Sequence, residues 1–224
     1  MPSRTTFIAL LGVALACDAS TPEPPPKSFR DIMVERKRAL ARPDSFTVAA
    51  DRGRVLGDSA ASVWVVFAGD FQCALCKRWN DEVLPLIRKE YVDTRRIRVA
   101  FLNMPRPEHL NGVSTALAAT CASAQGKFWE TYAKIFETQG TWKDLPDARP
   151  YLDSLAIAAG ADAPALRLCT ERSQGQKLIN TDVERNTAAG VDSLPTFFIG
   201  RHRLVGAASI ATFRAVIDSA LAEK

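Results

Sequence analysis

The stretch SVWVVFAG, residues 62–69, is a continuous apolar run rich in β-branched residues, and together with the segment directly after it constrains the fold more than any other feature of the chain. Such a run predicts a strand buried on both faces. The period then changes. Leu75, Trp79, Val83, Ile87 and Tyr91 recur every four residues, with Leu84 beside them, which predicts a helix with one apolar stripe. Pro85 falls inside that helix and predicts a kink, because proline removes one backbone bond to the residue four earlier. RIRVAFLNM (96–104) predicts a second strand. Strand, helix, strand is a βαβ unit, which requires a right-handed crossover.

The flanking segments extend this unit. SFTVAADRGRVLGD, from Ser45, predicts strand, turn, then strand or loop. Residues 109–189 show apolar spacings of three and four throughout, punctuated by Gly126, Gly140, Gly160 and Gly175, and predict a block of helices. PTFFIG (195–200) and RLVGA (203–207) flank Arg201 and His202 in a hairpin pattern. A last helix is expected from about Ser209, packing through Ile210, Phe213, Val216, Ile217 and Leu221. No internal repeat is present. The order β-α-β, helical block, β-β-α is that of an α/β protein with a thioredoxin-like core and an inserted all-helical subdomain at about 107–189.

The N-terminus points to export. FIALLGVALA (7–16) is ten apolar residues, too short to span a bilayer and suited to a signal peptide over 1–16. Cys17 comes directly after it, as in the lipobox of bacterial lipoproteins, although Ala14 stands where leucine is usual. The reading is a lipid-attachment cysteine at the mature N-terminus, with simple secretion as the alternative. DASTPEPPPK (18–27) is polar and Pro-rich and predicts an extended tether, and 29–40 predicts a short surface helix. The region 17–44 therefore links the anchor to a domain over 45–222. The net charge of +4 is mild and spread out, and the basic run DTRRIR is short, so binding to nucleic acid is not expected.

Cys73 and Cys76 stand two residues apart between the first core strand and its helix. A thiol attacks as its thiolate. A cysteine at a helix N-terminus meets unpaired N–H groups and the positive end of the macrodipole, and both favour the anion. Cys73 is the candidate nucleophile and Cys76, one turn further in, the resolving thiol. Zinc would need two more ligands, and the only histidines, His109 and His202, have no paired spacing. No metal or other cofactor is expected. An inert crosslink would gain little from so small a loop. Cys121 and Cys169 both fall on helices of the inserted block. In an exported protein they suggest a structural disulfide, and buried free thiols are the alternative. Closing so long a loop would restrict the unfolded chain by roughly 4 kcal/mol. Trp79, Trp129 and Trp142 are expected in packing, Trp64 inside the sheet, and His109 as a cap on the helical block.

FAGDFQCALCKRWNDEVLPLIRKEY, GKFWETYAKIFETQGTW, LPTFFIG and RLVGAASIATFRAVID together resemble the DsbA-like thiol:disulfide oxidoreductases, in the same order and from about Val55 to Leu221. The resemblance implies a thioredoxin fold with inserted helices and a cis bond at Leu194-Pro195. It implies that Pro195 faces the cysteine pair and that Leu194 meets client backbone, with Ala74 and Leu75 also at the client face. It implies cysteine-containing clients and a membrane redox partner such as a quinone-linked reoxidase. Three departures stand out. Ala74-Leu75 replaces the family's frequent Pro-His or Pro-Tyr. Phe67 occupies the place of an acidic residue six before the first cysteine. Leu194 is bulky. Asp70 is a candidate for proton transfer, read by default as an exposed loop residue. The chain is thus expected to be an exported, lipid-anchored oxidoreductase on the periplasmic or extracytoplasmic face, with disulfide formation favoured. A reductase or isomerase, and a non-catalytic binding module or metallochaperone, are the alternatives.

Overall fold

A computed structural model describes residues 44–223. The signal segment, Cys17, the tether and the helix expected at 29–40 lie outside the described residues. The elements run in chain order: α1 (Ser45–Gly53), β1 (Val55–Leu56), β2 (Val63–Gly69), α2 (Ala74–Glu82), α3 (Leu84–Ile87), a π-helical turn (Arg88–Val92) and β3 (Ile97–Asn103). The helical block comes next as α4 (Gly112–Ser123), α5 (Phe128–Glu137), α6 (Gln139–Trp142), α7 (Arg149–Ala158), α8 (Ala163–Glu171) and α9 (Gln176–Ala188). Then come β4 (Thr196–Ile199), β5 (His202–Val205) and α10 (Ile210–Ala222).

The five strands stand in the order β1-β3-β2-β4-β5. The β2–β3 pair is parallel, with Phe67 opposite Phe101 and Gly69 opposite Asn103, and the other pairs are antiparallel. β2 and β3 are joined by α2, α3 and the π-turn, which is the βαβ unit the sequence predicts. Pro85 sits in the first turn of α3, where the missing N–H has no intrahelical partner to lose, and the break falls just before it at Val83. Trp79, Val83, Ile87 and Tyr91 are buried as the spacing predicts, but Leu75 is not: it is 42% exposed at the first turn of α2.

Two further expectations are corrected. Residues 45–53 form a helix, not a strand. Asp44 caps it by accepting the Thr47 N–H at 2.7 Å. Its last residue, Gly53, packs so close to α4 that a Cβ there would sit 2.2 Å from the Ser123 carbonyl oxygen. Tertiary packing overrides the strand character of Thr47 and Val48. β2 is buried on both faces only in its second half. Trp64 and Val66 are half-buried, and the Arg98 guanidinium lies 4.0 Å from the Trp64 ring centroid.

The core is aromatic and continuous across the sheet. Phe67 touches Trp79 of α2 and Phe197 of β4, at centroid distances of 4.7 and 5.0 Å, and Phe213 of α10 closes that cluster. Phe67 also meets Phe101, which opens into Phe71, Phe128 and Tyr132 beside α5. A second cluster lies inside the helical block, around Cys121, Ala156, Leu166, Cys169 and Ile179. The block is tied to the sheet by a buried ion pair between Arg54 and Asp182, and Asp182 also accepts the Asn103 N–H at 3.0 Å.

Candidate active site

β2, the central strand, delivers the chain to the C-terminal end of the parallel β2–β3 pair at Gly69. Asp70 then turns it into α2: its Oδ1 accepts the Gln72 N–H at 2.7 Å and its C=O accepts the Cys73 N–H at 3.1 Å. Cys73 is the N-cap residue of α2, and its sulfur accepts the Cys76 N–H at 3.4 Å. Sulfur thus occupies the place where a serine or aspartate oxygen usually satisfies an orphan donor of the first turn.

The two thiols, unbonded here, are electrostatic opposites. The Cys73 thiol is lowered to about 6, first by the hydrogen bond from the Cys76 thiol and then by the N–H groups of Cys76 and Leu75; these outweigh burial and the nearby Asp70 charge. Burial pushes the Cys76 thiol well above its ordinary range, and the hydrogen bond it gives Cys73 adds to this. One sulfur is therefore stabilised as a thiolate on the accessible side, and the other is held as a thiol one turn in.

The loop before β4 approaches from the opposite side. Leu194-Pro195 is cis, Pro195 is buried, and the Leu194 carbonyl oxygen lies 4.0 Å from Cys73 Sγ. Ala74 and Leu75 are exposed beside the sulfur. The structure therefore brings Cys73, Cys76, Ala74, Leu75, Leu194 and Pro195 to one place. Cys121 and Cys169 lie elsewhere, joined to each other at an S–S distance of 1.99 Å and buried between α4 and α8.

Two sequence readings are overturned at this site. Asp70 is not an exposed loop residue: its carboxylate is completely buried. His109 does not cap α4. Its Nδ1 lies 2.6 Å from Asp70 Oδ2, which also accepts the Arg106 N–H at 2.8 Å. Further residues hold the loop in place. Gln72 accepts the Asn111 N–H at 2.9 Å and donates to the Lys143 C=O at 3.1 Å, while Gln139 donates to the Phe71 C=O at 2.6 Å. No periodicity marks these polar residues, and His109 is 39 positions from Asp70. The only local signal was the place of Asp70 itself, between a buried strand and a helix N-terminus.

His202 is remote from this cluster, 3.0 Å from Glu223 at the C-terminal helix. Among the described residues, no group of three or more His, Cys, Asp or Glu is placed to hold a metal ion. None of the described helices is long and apolar enough to cross a membrane.

The thioredoxin family model matches residues 49–219. Among curated proteins, the chain is 30% identical over 176 residues to Na(+)/H(+) antiporter NhaA 1 of Salinispora arenicola, covering 78% of this chain and 26% of the antiporter. It is 26% identical over 151 residues to disulfide bond formation protein D of Bacillus subtilis, covering 65% of this chain and 66% of that protein. The chain thus spans between about a quarter and two thirds of the length of these relatives. Among solved structures, oxidised BdbD of Bacillus subtilis superposes with a TM-score of 0.70 at 23% identity, covering 76% of this chain and 94% of that one. α-DsbA1 of Wolbachia pipientis gives 0.67 at 21% identity, covering 76% and 91%. At those identities the structural likeness speaks to the fold, which is thioredoxin-like with a helical insertion.

Proposed function

Because the chain belongs to the thioredoxin family, we propose that it is a thiol:disulfide oxidoreductase that exchanges disulfides with cysteine-containing client proteins through Cys73 and Cys76. One observation carries this reading: a sulfur that caps a helix, with its thiol lowered to about 6, beside a second sulfur that burial holds protonated. The curated relatives include proteins named for disulfide bond formation.

The chemistry rests on the asymmetry of the two sulfurs. With the pair oxidised, a client thiolate attacks Cys73 Sγ. The Cys73–Cys76 bond breaks, and its electron pair leaves on Cys76, which takes up a proton because burial disfavours its anion. A second client thiolate then attacks the client sulfur of the mixed disulfide. The electron pair leaves on Cys73, the better leaving group. The client gains a disulfide, losing two electrons, and the cysteine pair gains them. A stabilised Cys73 thiolate favours the reduced pair and hence this direction. The cis Leu194-Pro195 loop and exposed Ala74 and Leu75 are the surface at which client backbone would lie. Return to the oxidised state calls for an external acceptor, a membrane-bound quinone-linked reoxidase in this reading.

Export to the periplasmic or extracytoplasmic face, with Cys17 lipidated, belongs to the same reading. It rests on the short apolar run ending at Cys17 and the Pro-rich segment after it. Mass spectrometry of the membrane fraction is expected to find an acylated Cys17 peptide, and a mature chain starting elsewhere in the soluble fraction would refute it. The functional reading is tested with Cys76→Ser, which is expected to accumulate mixed disulfides between Cys73 and client. A Cys76→Ser chain that traps no client removes the reading.

A further inference from the structure

Asp70 does more than a turn requires. Closing the turn takes only Oδ1 and the backbone, yet Oδ2 accepts the Arg106 N–H at 2.8 Å and meets His109 Nδ1 at 2.6 Å. Room is kept for this contact: a Cβ at position 112, where the chain has glycine, would sit 3.1 Å from Asp70 Oδ2 and 3.3 Å from the His109 Cβ. The Cys73 N–H bonds the Asp70 carbonyl at 3.1 Å, and the Asp70 charge raises both thiols, so the residue lies near both cysteines.

A buried carboxylate in this position repels thiolate at either sulfur, and with no solvent at the oxygens the repulsion is poorly screened. Its side-chain partner His109 is 23% exposed, so the ring reaches solvent while the carboxylate does not. With a neutral ring the pair carries one negative charge, and with a protonated ring it carries none. The surrounding charges do not supply a substitute. On the same loop, Arg106 lies 3.5 Å from Glu108 and bonds the Asp192 C=O at 3.4 Å. Lys143 and Asp144, on the loop after α6, pair with each other at 3.4 Å. On α2, Lys77 pairs with Asp81 at 2.9 Å and donates to the Phe136 C=O at 2.8 Å. Ala74-Leu75 places no imidazole between the cysteines, and His109 brings one to the site from the loop after β3.

We propose that His109 is a positioning residue that acts through Asp70: its contact with Oδ2 sets the charge that Asp70 presents to Cys73 and Cys76, and so the reactivity of the pair. This role presupposes the exchange chemistry proposed above.

The test is an ultraviolet titration of the Cys73 thiolate in the full chain. The proteins compared are wild type, His109→Gln, His109→Lys, Asp70→Asn and the double variant Asp70→Asn/His109→Gln. His109→Gln keeps a donor for Asp70 but no charge, and is expected to raise the Cys73 titration midpoint by about one pH unit, a roughly tenfold loss of thiolate below the midpoint. His109→Lys, with a fixed positive charge, is expected to restore it. In the Asp70→Asn background the His109→Gln shift is expected to vanish. An unchanged midpoint in His109→Gln overturns the proposal, as does an equal shift in the Asp70→Asn background. Should Asp70→Asn fail to fold by circular dichroism, the Gln–Lys contrast decides alone, and equal midpoints refute the role. Exchange with a dithiol peptide is assayed separately. A wild type without Cys73-dependent exchange that still shows the His109→Gln shift removes the functional reading and leaves the charge coupling standing.

Discussion

The protein holds two pairs of cysteines that physics treats in opposite ways. Cys73 and Cys76 lie within one turn at a helix N-terminus, half-buried and buried respectively, with N–H groups aimed at the outer sulfur. Cys121 and Cys169 are 48 residues apart, bonded, and 1% and 3% exposed inside the helical block, among alanine, leucine and isoleucine. The first pair has an asymmetric electrostatic setting and an outer sulfur that is only half-buried. The second has neither, and its long loop gives it leverage over the unfolded chain. Sequence spacing and surroundings, rather than cysteine chemistry as such, separate a pair suited to exchange from a pair suited to a lasting bond.

The sharpest way to break this contrast is to remove one sulfur from the first pair and both from the second. Cys73→Ser is expected to reduce exchange to the uncatalysed background while leaving the melting temperature close to wild type. Retention of full activity would void the assignment of Cys73. Cys121→Ser/Cys169→Ser is expected to do the reverse: stability falls by roughly 2–4 kcal/mol in denaturant unfolding, and exchange per folded molecule is retained. A double variant that is equally stable but inactive would invert the comparison.

A smaller effect distinguishes the two sulfurs of the Cys73–Cys76 pair. Since the Cys73 thiol is lowered to about 6, its alkylation rate in the reduced protein should plateau above that pH and fall about tenfold per unit below it. Cys76 should stay unmodified until the chain unfolds. Stability is linked to the same titration. A thiol whose folded value is depressed favours the reduced fold above its unfolded value, and that advantage is lost as pH falls through about 6. The reduced form should therefore lose stability relative to the oxidised form in acid, as measured by paired melts across a pH series spanning that value.

The smallest expected effect lies between the cysteines. Leu75 is exposed and offers Cys73 no side-chain donor. Leu75→His should add one charge-assisted contact, worth roughly 1.5–3 kcal/mol, and move the couple by about 30–60 mV towards oxidising values. An unchanged potential in a glutathione titration would show that the intervening residues do not set the poise of this couple.

Some of this architecture is legible without coordinates because it is local. The run of β2, the four-residue stripe of α2, the start of α10 near Ser209 and the hairpin of β4 and β5 each declare themselves within about a dozen residues, through burial pattern and turn chemistry. The place of Cys73 at a helix N-terminus obeys the same logic. Thr47 and Val48 misled because β-branched residues are also tolerated in a helix once it is capped by Asp44 and pressed against Ser123. Leu75 misled because periodicity places it on the buried stripe, whereas in the first turn of α2 it lies on the exposed side and Cys76 turns into the core.

The amino-acid order by itself determined which two cysteines share a helical turn, and hence that one of them caps a helix. Spacing and backbone geometry suffice for that. Only the tertiary structure decided the electrostatic partners. Asp70 and His109 are polar residues with no periodic signal, 39 positions apart, and either would pass for a surface side chain. They meet because β2 and β3 run parallel and deliver both of their C-terminal loops to the same end of the sheet. A carboxylate buried there requires a partner that no local pattern encodes.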